Sequence, residues 1–357
     1  MKDKKEKEEK EDRRFISYNH DLGPGGLLQG LRDLVAANED LQLCYRGNSG
    51  DEIVVYYNNH IMFKVKKYSK KYKNKQFLLT ISFNHARYEK DWQAILDDLQ
   101  KNHHFEKGGK KKVADEGDDG YLTCRFNNSD DIKWQVLYCL LKRLIDSFFA
   151  PANDEVIDYF KEGHLLANKK NHKEKQRQQL IFSANIDCDN GYLIYDMEFS
   201  RPHKNKDEAD KDINNNEPDM LAIKFENHKP VKLVFIEVKS NKKACTQTKS
   251  GAFAHIRKTA GALDEFFKTG KDKYVEIRKK DAKEIIKGYA SIKLHDLNQE
   301  PDWELENIDV EILMVFTDEA VDWAKKNVDD MKNAADPYSE KLAFATVDAN
   351  GKILPLL

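Results

Sequence analysis

Residues 217–240 read EPDMLAIKFENHKPVKLVFIEVKS, two apolar strands joined by a polar turn, with acidic residues set where the strands begin and end. Charge in such a strand is costly unless it is paired or used. On the second strand, period-two alternation puts Val231, Leu233, Phe235, Glu237 and Lys239 on one face, so a carboxylate and an ammonium project side by side. Whether Asp219 joins them depends on the hairpin. A four-residue loop over 227–230 sets Asp219 opposite Val238, on the wrong face, because a slip of one residue inverts every side chain. A five-residue loop that pairs Phe225 with Val231 sets Asp219 opposite Glu237, and this is the register the sequence leads us to expect.

Two carboxylates this close repel. A divalent cation offsets that repulsion and brings phosphate and water together at hydrolytic geometry, and magnesium is the natural candidate, with manganese as a substitute. Lys239, one pleat beyond Glu237, is placed to orient the attacking water and to stabilise charge on a pentavalent phosphorane.

Outward from this segment, the runs YLIYDMEF (192–199), PDMLAIKF (218–225), VKLVFIEVK (231–239) and VEILMVFTDE (310–319) read as strands. A helix running to about Leu180 precedes them, and a second begins near Gly251. Between the first two strands, RPHKNKDEADKDINNNE is polar enough to be a surface excursion beside the site. Earlier in the chain, Leu27, Leu28, Leu31, Leu34 and Val35 recur at helical spacing. The runs DEIVVYYNN, HIMFKVKKY and QFLLTISF then predict an antiparallel sheet, followed by a helix around Trp92 to Leu99. Residues 101–120 read as a loop and 132–149 as a helix. The stretch FFAPANDEV marks a boundary near residue 150.

The length of 357 residues exceeds what one core usually serves, so two domains are expected. After a charged tail over 1–20, these are a smaller α+β domain over 21–150 of unassigned role and an α/β domain over 151–357. With 40% hydrophobic and 34% charged residues, the chain can build cores beneath a strongly solvated surface. The net charge of -2 provides no overall basic field, so nucleic-acid binding has to use local patches. One such patch is KVKKYSKKYKNK (64–75), where Lys66, Lys67, Lys70 and Lys71 interleave with Tyr68 and Tyr72 to neutralise phosphates and stack on bases.

The five cysteines are scattered, with no metal-ligand spacing, which fits a reduced, cytoplasmic protein. The opening MKDKKEKEEKEDRRF lacks the apolar stretch of a secretory signal. Lys142, Arg143 and Asp146 interrupt the most apolar segment, so no membrane partner is expected.

Pro218, Asp219, Glu237, Val238 and Lys239 resemble the motif of the PD-(D/E)XK nuclease superfamily of restriction and repair enzymes. The order helix, three-strand meander, helix, strand agrees with it, and KSGAFAHIRKTAGALDEF (249–266) is similar to the helix that follows the motif in several bacterial members. The resemblance covers roughly residues 154–316. It implies an α/β fold with a restriction-endonuclease-like core, a mixed central sheet and flanking helices.

It also implies magnesium-dependent hydrolysis of DNA phosphodiester bonds in bacterial restriction, repair or defence, with RNA a less expected substrate. The catalytic set it implies is Asp219, Glu237 and Lys239, joined by Glu174 from the preceding helix, with Gln178 one turn later. Glu198 would complete the metal shell with Asp219 and Glu237, His255 would act from the following helix, and Lys258 would contact DNA. Cutting both strands would suit a homodimer. Two other readings stay open: a nuclease fold that binds nucleic acid or protein without turnover, and a ribonuclease.

Overall fold

In a computed structural model, residues 19–38, 41–46, 52–57, 60–67, 77–82, 101, 106–107, 121–126, 132–149, 177–186, 190–197, 218–291 and 304–356 are described. They fall into two compact units, one drawn from 17–45 and 51–168 and the other from 1–16, 46–50 and 169–357. Glu174, Glu198, Lys70, Lys71 and the expected helix around Trp92 to Leu99 lie outside the described residues, as does the side chain of Lys67.

The amino-terminal unit contains α1 (Asn19–Leu22), α2 (Gln29–Ala36), β1 (Leu41–Arg46), β2 (Glu52–Tyr57), β3 (His60–Lys67), β4 (Phe77–Ser82), β5 (Glu106–Lys107), β6 (Tyr121–Phe126) and α3 (Trp134–Phe149). The strands form one sheet in the order β1-β2-β3-β4-β6-β5. The pairings from β2 through β5 are antiparallel. The strand Glu106–Lys107 corrects the expectation of an uninterrupted loop over 101–120: although the stretch has little apolar surface, its backbone pairs with Thr123 and Leu122 of β6. The core sets Ile53, Val55, Phe63, Val65 and Leu79 against Trp134, Leu137 and Leu141. Phe63 meets Trp134 edge-on at 5.7 Å, within the range aromatic pairs prefer.

The carboxy-terminal unit begins with α4, a helix over residues 177–184. There follow β7 (Gly191–Met197), β8 (Met220–Glu226), β9 (Lys229–Lys239), α5 (Lys242–Thr246), α6 (Ala252–Ala262), α7 (Asp264–Thr269), α8 (Lys273–Ser291), β10 (Asp309–Phe316), α9 (Ala320–Lys326), α10 (Val328–Ala334), β11 (Leu342–Val347) and β12 (Ile353–Pro355). The sheet order is β12-β11-β10-β9-β8-β7. β7, β8 and β9 form an antiparallel meander, β9, β10 and β11 run parallel, and β12 returns antiparallel, so the sheet is mixed. The fold is thus mixed α/β, with a six-stranded mixed sheet flanked by helices in one unit and a separate sheet, antiparallel from β2 through β5, in the other.

Parallel neighbours need long crossovers, and here helices supply them. β10 is buried at seven of its eight positions, as a strand with both faces covered should be. Phe235 of β9 packs on Tyr274 of α8 at 6.0 Å, Phe316 of β10 on Trp323 of α9 at 6.2 Å, and Trp323 on Phe253 of α6 at 5.7 Å. These three helices therefore cover the face that carries Phe235, Glu237 and Lys239.

The β8–β9 hairpin corrects one expectation and explains another. The turn is not five residues long. Asn227 and His228, at φ 52° and 63°, make a two-residue connection between Glu226 and Lys229, and both positive φ values match the strand twist as a type I′ turn does. Carried on regularly, that turn would pair Lys224 with Val231 and invert the face of Asp219. Instead the register shifts between Lys224 and Phe225: Phe225 faces Pro230, and Lys224 faces Lys232. Val231 is the extra residue of a β-bulge beside a proline, which cannot donate to the ladder and is tolerated at such irregularities. From Lys224 back to Met220 the pairing is the one expected, with Met220 opposite Ile236.

The far end of α4 closes the unit. Asn185, fully buried, donates its amide to the Ile181 and Gly351 carbonyls at 2.7 and 2.9 Å and accepts from the Ile353 N–H at 3.1 Å. Its own carbonyl accepts from the Ile194 N–H at 2.9 Å. One residue thus reaches β7 and β12, the outermost strands, so the sheet curls to bring its edges together. Gly351, at φ 88°, is required there, since a Cβ would lie 2.6 Å from Leu180 Cγ. Asn185→Ala removes the side-chain partner of the Ile353 N–H and of the Ile181 and Gly351 carbonyls, and should lower stability by about 2–4 kcal/mol. Urea denaturation checks this, and a loss under about 1 kcal/mol would remove Asn185 from its assigned role.

Candidate active site

The site lies where β9 ends. Glu237 and Lys239 stand beside Met314 and Phe316 of β10, with α6 packed over them. Both are buried, at 4% exposure each, which is rare for these residue types unless they are paired. They are paired with each other: Lys239 Nζ donates to Glu237 Oε1 at 2.7 Å. His255 Nδ1 lies 2.6 Å from the same oxygen. A proton on Nδ1 makes that contact a hydrogen bond in either charge state of the ring.

Local sequence explains how His255 arrives. Asn241, just past the strand, caps α5 by accepting from the Ala244 N–H at 2.8 Å. The chain then folds tightly back onto α5, where a Cβ at Gly251 would lie 2.3 Å from the Gln247 carbonyl oxygen and 2.4 Å from that of Cys245. Only glycine allows this approach, and it starts α6 close enough for its first turn to present His255 to Glu237.

Asp219 immediately precedes β8, and continuing the strand register brings it beside Glu237. Its Oδ2 accepts the Val238 N–H at 2.7 Å, a charge-assisted bond that ties the carboxylate to the strand bearing the pair. Three expected residues, Glu237, Lys239 and His255, are therefore in direct contact, and Asp219 joins them through the intervening backbone. Lys258, one turn along α6 from His255, is half-buried and donates to the Lys249 carbonyl at 3.1 Å. Lys66 is exposed on β3 in the other unit. Gln178 is buried on α4.

The sequence reading missed the support around this end of the sheet. The Thr317 N–H donates to the Lys239 carbonyl at 2.9 Å. Next along, Asp318 sits at φ 51° and accepts a two-pronged bond from Arg177 of α4, at 3.0 and 2.6 Å. With side chains 36% and 35% exposed, this pair fixes geometry more than it adds stability. A signal was present in the Thr-Asp pair that ends VEILMVFTDE, but the distance of 141 residues to Arg177 hides the partner.

Burial by itself pushes the Glu237 carboxyl up. The Lys239 ammonium overcomes this, together with the hydrogen bond and charge of His255, and the group is held below its ordinary value of 4.5. Glu237 is therefore an ionised carboxylate in a nearly dry place.

Magnesium takes oxygen ligands, is often held by one or two carboxylates, and keeps several waters. Asp219 and Glu237 fit that donor set, and the contacts of Glu237 with Lys239 and His255 both fall on Oε1. Among the described residues no group of three His, Cys, Asp or Glu side chains gathers as a metal cluster. No protein-family profile, curated protein or solved structure matches the chain.

Removing one partner of a buried pair strands the other's charge. Lys239→Met should cost about 3–5 kcal/mol, while the double change Glu237→Gln with Lys239→Met should recover most of that loss in urea denaturation. Equal losses in single and double variants would contradict the pairing.

Because the folded Glu237 value is depressed, its contribution to stability is complete above pH 4.5 and is withdrawn as the pH falls through the lower folded value. Glu237→Gln should therefore flatten the decline in urea midpoint between about pH 5 and pH 3. An acid limb as steep as that of the unaltered protein would show that another group controls it.

Proposed function

We propose that the chain is a magnesium-dependent nuclease that hydrolyses DNA phosphodiester bonds. The observation that carries this reading is a lysine and a glutamate in contact at the buried end of a central strand, with an aspartate tied to the same strand from its neighbour. Few structural needs put such charge inside a sheet. The order α4, the β7–β8–β9 meander, α6 and then β10 parallel to β9 supports the same reading, since the resemblance to PD-(D/E)XK nucleases implies that order. DNA, and roles in restriction, repair or defence, come from that resemblance.

In this scheme Asp219 and Glu237 hold the cation, with Glu198 as the third ligand the resemblance implies. The bound ion would lower the pKa of a water and stabilise charge on the phosphoryl oxygens. Lys239 orients that water and, with its ammonium held 2.7 Å from Glu237, is placed to meet negative charge on the phosphorane. His255 fixes the Glu237 carboxylate by its contact with Oε1, so it acts as a positioning residue. A second reading, a nuclease fold that binds without turnover, is favoured by one observation: Glu237 already has Lys239 and His255 as partners and little solvent contact.

Cleavage of supercoiled and linear DNA with magnesium, manganese or EDTA separates the two. Cutting should require the metal and fall at least about a hundredfold in Asp219→Ala, Glu237→Ala and Lys239→Ala. Wild-type protein that cuts neither DNA nor RNA, while remaining folded, would leave the binding reading in possession.

A further inference from the structure

Between the end of β9 and the end of α6 the composition of the chain changes. Across the whole sequence 62 of 357 residues are acidic, roughly one in six. Residues 240–263 contain no aspartate or glutamate, but they carry Lys242, Lys243, Lys249, Arg257 and Lys258. In a chain with a net charge of only -2, this is a concentrated patch of positive charge.

The structure shows what this segment does with its cations. Lys242, Lys243, Lys249 and Arg257 are exposed, and among the described residues none of them forms an ion pair. Some basic residues elsewhere in the unit do, among them Arg177 with Asp318, Lys232 with Glu311, Lys268 with Asp264 and Lys341 with Asp309, whereas this segment gathers several cations with no carboxylate of its own among them. Keeping unpaired like charges together is unfavourable in the free protein, and an anionic partner relieves it.

The segment is also held in place. Asn241 caps α5, Ser250 Oγ donates to Gln247 Oε1 at 2.5 Å, and the Lys258 ammonium clasps the Lys249 carbonyl at 3.1 Å. Its two ends are the catalytic strand and the helix that delivers His255 to Glu237. α9, which packs on α5, ends in the exposed Lys325 and Lys326, with the carboxylates of Glu319 and Asp322 at its opposite end.

We propose that the surface of residues 242–257 binds the phosphate backbone of duplex DNA and carries it past the site at Glu237 and Lys239. The inference rests on the nuclease reading for its partner, and adds where the substrate lies. A scissile phosphate belongs to a long polyanion whose neighbouring charges must also be met. Four unpaired cations on a braced segment beside the site supply that complement, at positions that read charge and not base sequence.

Binding of a fluorescent 30-base-pair duplex in EDTA, titrated against salt, tests this without cleavage intervening. The variant Lys242→Gln, Lys243→Gln, Lys249→Gln, Arg257→Gln should lose at least tenfold in affinity. Its slope of log affinity on log salt should fall by about 3.6, since each of the four phosphate contacts contributes about 0.9. The control Lys229→Gln, Lys273→Gln, Lys280→Gln, Lys332→Gln removes the same charge from exposed positions outside the segment, and should retain most of the affinity. Circular dichroism verifies that both variants fold.

An equal effect in the two variants, or no wild-type binding at low salt, would overturn the proposal. Tighter binding of a single-stranded or RNA probe of equal length would overturn the assignment to duplex DNA. Patch-dependent binding in a protein that never cuts would end the nuclease reading and uphold this one.

Discussion

The pairing of β8 with β9 is the constraint on which the site depends, because alternation along a strand makes register decide which charges meet. The turn at Asn227 and His228 belongs to a regular hairpin that would set Asp219 on the face opposite Glu237. The bulge at Val231 adds one residue to one strand, and five residue pairs later the two carboxylates arrive on the same side. Pro230 gives this irregularity a place: a residue without an N–H disturbs a ladder least where the ladder is already interrupted. Farther along β9, where Glu237 and Lys239 sit, pairing with β10 on the other side is continuous.

Much of this was legible in the sequence, for identifiable reasons. β7, β8, β9 and β10 are apolar runs bounded by polar turns, and long burial on both faces writes itself as hydrophobicity. The charged residues of the site were legible because they interrupt those runs. The hairpin was read with the right register and the wrong loop, since Asn-His is a weak signal for a type I′ turn and a bulge has no signature apart from the proline.

What stayed hidden depends on distant partners. α8 reads KYVEIRKKDAKEIIKGYAS, as a solvated helix would, yet Arg278, Lys279 and Asp281 are buried on it. Arg278 pairs with Asp281 at 3.1 Å, and Lys279 donates to the Ile308 carbonyl at 2.5 Å. Periodicity records polarity, and it does not record whether a carbonyl 29 residues away will receive an ammonium. β11 and β12 were missed for a related reason. They are short, border the sheet, and alternate too weakly to announce themselves.

The contacts of Glu237 have a consequence for any cation that reaches it. The carboxylate is not vacant: an ammonium and an imidazole already share Oε1, each satisfying charge that burial has stripped of water. Arrival of a further cation is therefore a substitution equilibrium, in which the newcomer is measured against the partners it displaces or must tolerate. The affinity observed at such a centre is a difference between two strong attractions, so small changes in how Lys239 or His255 is seated would be read out as large changes in occupancy.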